Sequence, residues 1–234
     1  MKILITCAVW KRPEVFQLMT AGLQRMRRIM DTLGVESQVL FVLDETDEEN
    51  CRHVFNLQQT DCNILFTHIS NDMPLGERMN RMMFDCDGMD YDYMMQMGSD
   101  DLITDAGVLS LMGYAFEGCP FFGFNQIYFV NPQTEKMKPI RTSNTFGAGR
   151  MIYRELVEKT HVLWDANQRS GLDNMMQANV YGATNTMPVV VNTWRPQVFD
   201  IKSDVNINKY GKIANQEFPL NYDLCDELKH CREL

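Results

Sequence analysis

Two adjacent carboxylates close the run Tyr91-Asp92-Tyr93-Met94-Met95-Gln96-Met97-Gly98-Ser99-Asp100-Asp101. The run reads as a strand, so its end concentrates negative charge at the mouth of an α/β sheet. Ligands bind at such mouths, and hard carboxylate oxygens there suit a divalent cation held against a diphosphate. Adjacent Asp residues also occur in plain turns, but here they follow three β-α steps, which favours a site. Other chemistries lack their residues. There is no Gly-x-Ser-x-Gly or Gly-x-Gly-x-x-Gly segment, and Phe146-Gly147-Ala148-Gly149 has no Walker-type lysine beside it. His53, His68, His161 and His230 lack compact metal-ligand spacing.

The elements that must position these carboxylates follow from apolar periodicity. Residues 2–9 read as a first strand, and Pro13 opens a helix carrying Val15, Leu18, Met19, Met26, Ile29 and Met30. Val39-Leu40-Phe41-Val42-Leu43 is a second strand, followed by Asp44 in a turn and by Thr46-Asp47-Glu48-Glu49, a candidate capping box. Asn63–His68 forms a third strand, and Pro74 precedes a helix presenting Leu75, Met79, Met82 and Met83, a stripe that core packing explains. Strand 91–97 then delivers the Asp pair, and 105–117 is helical. This alternation predicts a mostly parallel sheet covered by helices.

The pattern then changes. Phe121–Phe124 and Gln126–Val130 read as short strands or a hairpin, with Asn131-Pro132-Gln133-Thr134 as a turn after them, a helical stretch begins at Leu172, and Pro188–Val191 is a late strand. These elements are placed to shape an acceptor pocket over the sheet. Beyond about residue 195 the periodicity weakens.

Composition bounds the reading. The chain has 234 residues, 45% apolar, enough to bury a sizeable core, and a net charge of -9 that disfavours a nonspecific polyanion binder. Seven cysteines form no CxxC pair and are odd in number, which fits a reducing compartment and gives a cytoplasmic expectation. The apolar N-terminus is too short for a membrane-spanning helix and lacks a signal-type cleavage region, so no integral membrane segment is expected.

The order of these signals resembles the GT-A fold of family 2-like glycosyltransferases over residues 1 to about 195. Thr6-Cys7-Ala8-Val9-Trp10-Lys11-Arg12-Pro13-Glu14 is similar to that family's opening strand and Asn-Arg-Pro-Glu type turn, with Lys11 where Asn is frequent. Phe41–Asp47 resembles its second acidic turn. The resemblance implies that Asp44 recognises the nucleotide base, as a sheltered carboxylate accepting an N–H can do. In Pro74-Leu75-Gly76-Glu77-Arg78-Met79-Asn80, it implies close substrate approach at Gly76 and donor contacts from Arg78 or Asn80. Taken alone, Arg78 reads as a solvent-facing helix charge.

The strongest correspondence is Met97–Asp101, similar to the family's Asp-x-Asp-Asp pattern with Gly98 in the first acidic place. The resemblance implies that Asp100 ligates Mn²⁺ or Mg²⁺ and helps bind the donor, that Asp101 is a further or water-mediated ligand, and that the ribose contact of a first Asp is missing. It implies a general base in Trp164-Asp165-Ala166-Asn167-Gln168-Arg169-Ser170-Gly171-Leu172-Asp173-Asn174, with Asp173 preferred and Asp165 its rival, although neither reproduces the family's Glu-Asp pair. Trp164 suits either sugar stacking or, more ordinarily, the core.

The expectation is therefore an α/β GT-A domain over 1–195 with a C-terminal extension at 196–234 packed on or beside it. Its implied reaction is metal-dependent, inverting transfer of a sugar from a nucleotide-diphosphate donor to an acceptor hydroxyl on a carbohydrate, lipid-linked intermediate, protein or nucleobase. The competing readings are a noncatalytic carbohydrate-binding or assembly protein of the same fold, and a sugar nucleotidyltransferase. The latter would carry a basic Gly-rich loop near its N-terminus, where Lys11 and Arg12 bring charge without glycines.

Overall fold

A computed structural model describes residues 1–70, 73–168, 171–192, 195–202, 210 and 215–234. The early strands β1 (Lys2–Ala8), β2 (Glu36–Asp44), β3 (Ile64–Ile69) and β4 (Tyr93–Gly98) are linked by helices α1 (Pro13–Thr32), α2 (Glu48–Thr60) and α3 (Leu75–Asp85). All four run parallel, because each crossover helix returns the chain to the same edge. Both sheet faces are apolar. Ile3, Ile5 and Cys7 of β1 enter one core with Phe16 and Met26 of α1, whereas Leu4 enters a second core with Met79 and Met82 of α3. This double burial explains why the strands read as continuous apolar runs.

After β4 the chain turns into β5 (Asp101–Ile103), then α4 (Asp105–Phe116), β6 (Phe121–Gly123), the hairpin β7 (Gln126–Asn131) and β8 (Lys136–Arg141), and β9 (Arg150–Tyr153). It continues through α5 (Arg154–Thr160), α6 (Leu172–Thr184), β10 (Val189–Val190), β11 (Val198–Ile201) and β12 (Phe218–Pro219). The main sheet has the order β10-β6-β9-β4-β1-β2-β3, with β9 antiparallel to β4 and β6. A second sheet, β12-β8-β7-β11-β5, stands beside it. The expected mostly parallel sheet flanked by helices is therefore present.

One local reading changes. Thr46 does not cap α2, because its hydroxyl donates to Asp44 Oδ1 at 2.7 Å; Asp47 is the N-cap and accepts from the Asn50 N–H. Val198–Ile201, within the expected C-terminal extension, is hydrogen-bonded between β7 and β5 inside the second sheet. The closing 3-10 turns, Tyr222–Leu224 and Asp226–Glu233, pack Leu228 and Cys231 against Val15 and Leu18 of α1 and against Phe199. Among the described residues, no helix is long and apolar enough to cross a membrane.

Candidate functional site

The centre of the main sheet is a topological switch point. β1 pairs with β2 on one side and β4 on the other, so the chain diverges at the carboxyl ends of β1 and β4, where α/β proteins open a crevice. Ala8 and Gly98 stand opposite each other at those ends. Past β1, Lys11 and Arg12 both adopt positive φ, 48° and 55°. Two successive left-handed non-glycine residues cost about 1–3 kcal/mol each. Asn50 Nδ2 holds the bend by donating to the Lys11 carbonyl at 3.1 Å, and the conformation brings Arg12 Nη1 to 3.0 Å from Asp100 Oδ2.

Past β4, the Asp101 carboxylate folds back over its own turn and accepts the Gly98 N–H at 2.6 Å. A Cβ on Gly98 would stand 2.7 Å from Asp101 Oδ2 and 3.0 Å from Asp100 Oδ1. Glycine at 98 thus gives both carboxylates their space, a physical reason for the departure from the acidic pattern. The third acid comes from β11, where the antiparallel register sets Asp200 opposite Asp101. Ligand atoms of Asp100, Asp101 and Asp200 all lie within 4.8 Å of one another. Lys202, the residue just past β11, pairs with the Asp200 carboxylate while its ammonium lies 3.9 Å from the Phe129 ring centroid.

Crowding separates the three carboxyls. Burial works against ionisation of Asp100, but Arg12 and Lys202 overcome it and hold its pKa below the ordinary value. Burial, then the Asp100 charge, pushes Asp101 up to about 7, and the same two causes raise Asp200 well above the carboxylate range. Three hard oxygen donors that cannot ionise comfortably together suit a divalent cation. Asp200 Oδ1 is also buried with no cation or N–H partner among the described residues and faces the Asp100 carboxyl. The residues present therefore fit Mn²⁺ or Mg²⁺.

The cluster lines a cleft of about 970 Å³ that Asp173 and Gly147 also line. Asp173 lies in the first turn of α6, which starts at Gly171 with φ 71°. Beneath it is Arg150 of β9, wholly buried, with Nη1 3.5 Å from Asp173 Oδ1. Arg150 Nε also donates to Thr145 Oγ1, and Nη2 to the Thr145 carbonyl. A Cβ at Gly147 would come within 2.6 Å of Asp173 Oδ1 and 2.8 Å of Gln96 Nε2, so the bare backbone there lets the carboxylate reach the cleft.

A third group lies at the β1 and β2 ends. Asp44 is buried and accepts from the Thr46 N–H at 3.0 Å, from the Thr46 hydroxyl, and from Arg78 Nη2 at 3.5 Å. Burial opposes ionisation of Asp44, but these partners outweigh it and lower its pKa. Arg78 is only 1% exposed, donates Nε to the Met73 carbonyl at 2.9 Å and stacks 4.5 Å from the Trp10 ring centroid. The solvent-facing reading of Arg78 is thus corrected: α3 directs the side chain inward, where Asp44 neutralises it. Trp10 and Arg78 line the cleft, whose lining stops short of Asp44.

The remaining candidates stand apart. Asn80 commits both ends of its amide to Trp164, donating to its carbonyl at 2.6 Å and accepting its N–H at 3.2 Å. Gly76 donates its N–H to Gln168, and a Cβ there would strike the Asp165 carbonyl at 1.9 Å; its close approach is to the chain itself. Asp165 is exposed, accepts the Asn167 N–H at 2.9 Å and lies outside the cleft lining. Trp164 is fully buried in the second core. Arg169 and Ser170 lie outside the described residues.

Asp100, Asp101, Arg78 and Asp173 thus share one cleft. Asp200 and Lys202 escaped the sequence reading, although Val198-Phe199-Asp200-Ile201-Lys202 places both charges on one strand face, a period-two signal.

No protein-family model and no curated protein matches the chain. Solved structures do. Staphylococcus aureus TarS 1-349 in complex with UDP-GlcNAc superposes with a TM-score of 0.60 at 10% identity, over 88% of this chain and 60% of that one. The Pyrobaculum calidifontis mannosyltransferase PcManGT in complex with GDP-Man and Mn²⁺ gives 0.59 at 9% identity, over 90% and 59%. The chain therefore spans about 60% of the length of these structures. Strand order, switch-point cleft and superposition agree: the chain has a GT-A fold, similar to that of these structures.

Proposed function

We propose that the protein is a glycosyltransferase that moves a sugar from a nucleotide-diphosphate donor to an acceptor hydroxyl. The observation that carries this reading is the one cleft that Asp100, Asp101, Asp200 and Asp173 all line. Asp100, Asp101 and Asp200 would hold Mn²⁺ or Mg²⁺, which when bound neutralises donor phosphates and the charge of the departing nucleoside diphosphate. Trp10 and Arg78 present a flat cationic stack to the nucleotide end of the cleft. Asp44 acts through Arg78, fixing its guanidinium, and this replaces the direct base contact that the family resemblance implies.

Asp173 accepts the proton of the acceptor hydroxyl as that oxygen attacks the anomeric carbon, and one displacement inverts the configuration. Arg150 fixes the Asp173 carboxylate from below, and Gly147 leaves its upper side open to the acceptor. Donors of the UDP and GDP classes, bound by the two structural neighbours, are the first to test. The seven free cysteines support a reducing, cytoplasmic setting. The test is release of UDP or GDP from UDP-GlcNAc and GDP-mannose with Mn²⁺, comparing wild type with Asp173→Asn. Turnover that Asp173→Asn lowers by about 10²–10⁴ supports the base role; nucleotide binding without any turnover favours the noncatalytic reading.

A further inference from the structure

The acidic cluster already carries two cations of its own. Arg12 reaches Asp100 from the strained β1–α1 bend, and Lys202 reaches Asp200 from the residue just past β11. Both pairs are largely withdrawn from water, with side-chain exposures of 11% and 15% for Arg12 and Asp100 and 5% and 13% for Lys202 and Asp200. They engage the very carboxylates whose ligand atoms converge.

We propose that Arg12 and Lys202 are resident counter-cations that a divalent ion must displace, and that the displaced side chains then take the donor diphosphate. This rests on the metal-binding reading of the cluster given above. Placing a divalent charge among these three carboxylates sets it a few ångströms from a guanidinium and an ammonium in a poorly screened environment, so the pairs and the ion compete. The displaced side chains have somewhere to go, because both line the same cleft as the cluster. Lys202 turns on a flexible stem and would leave its Asp200 partner, the Phe129 ring face and the neighbouring charges of Asp100 and Asp101. Arg12 offers a planar fork suited to phosphate oxygens, and its Nε is buried without a hydrogen-bond partner among the described residues.

Two consequences follow. Metal alone binds weakly, because it must break two sheltered ion pairs. Metal and diphosphate bind cooperatively, because the phosphates offer the displaced cations new partners, and by linkage each strengthens the other equally. A donor-free protein thus keeps its acids neutralised internally.

The test is Mn²⁺ binding in the absence of nucleotide, read from the electron paramagnetic resonance signal of free Mn²⁺. It compares wild type, Lys202→Met, Arg12→Met and Lys202→Arg, with a thermal melt confirming that each is folded. Removing a competing cation should tighten Mn²⁺ binding about tenfold, within the range usual for coupled sites, in both methionine variants. Lys202→Arg, which keeps the charge, should stay near wild type. If only one methionine variant folds, its affinity decides the matter alone. Binding by a methionine variant where wild type shows none supports the proposal in its strongest form. Equal affinity in wild type and methionine variants, or weaker binding in the latter, overturns the displacement while leaving the metal site standing. Absence of binding in all four proteins removes the metal reading and the proposal with it.

Discussion

Asp173→Asn tests whether Arg150 and the proposed base form an energetic unit. Their closest charged atoms are 3.5 Å apart, Arg150 is fully buried and the Asp173 side chain is 38% exposed. Coulomb's law at that separation gives about 1.2 kcal/mol in water and about 4.7 kcal/mol at an effective dielectric of 20. The exposed carboxylate places the pair toward the lower bound, at about 2 kcal/mol. Unfolding entropy near 2.1 cal/mol/K per residue makes 2 kcal/mol worth about 4 °C for a chain of this length. The Asp173→Asn variant should therefore melt about 4 °C below wild type, because the guanidinium stays buried with, among the described residues, the Thr145 oxygens and the Met176 sulfur as its remaining hydrogen-bond partners. Calorimetric melts of Asp173→Asn, Arg150→Met and the double variant close a double-mutant cycle. A coupling energy near 2 kcal/mol is expected. A coupling within about 0.3 kcal/mol of zero, inside the usual limit of additivity, would refute the argument that Arg150 holds Asp173 electrostatically.

Three further outcomes are expected. Asp44→Ala leaves the buried Arg78 guanidinium without its carboxylate; it should cost about 3 kcal/mol, the usual scale for breaking a buried pair, measured as a lowered urea midpoint. Gly76→Ala drives a methyl into the Asp165 carbonyl, and the forced backbone shift should cost at least 1–3 kcal/mol, roughly the overpacking range, with faster hydrogen exchange in 165–168. Burial opposes ionisation of Glu227, but hydrogen bonds from Arg25 and Cys225 outweigh it and lower its folded pKa. Its contribution is therefore present above the unfolded value of about 4.3 and is lost as pH falls through the folded one. Hydrogen exchange of 225–234 should accelerate below about pH 4, and Glu227→Gln should remove that dependence.

The parallel half of the fold was legible because β1, β2 and β4 are buried on both faces and the crossover helices α1 and α3 each carry one apolar stripe. Asp100 and Asp101 were legible for a related reason, since a strand followed by a turn announces its own end. The contribution of β11 was not. Its four residues gain their place from pairing with β5 and β7, about 100 and 70 residues earlier in the chain, and local periodicity carries no trace of such pairing. Arg78 was misread because helical spacing tells which residues share a face, whereas its burial depends on Asp44 arriving from another strand. Asn80 and Gly76 sit beside the site in sequence, but the 164–168 segment, packed onto α3 from 84 or more residues away, takes up their polar groups.

The central claim is that the acidic cluster binds a nucleoside diphosphate through a divalent cation. Calorimetric titration of UDP and of GDP, with Mn²⁺ present and then with EDTA, in wild type and Asp100→Ala, tests it most directly. The account predicts binding of at least one nucleotide that is lost both with EDTA and with the substitution. Binding unchanged by either would contradict the metal role of Asp100, and failure of both nucleotides to bind would contradict the donor site itself.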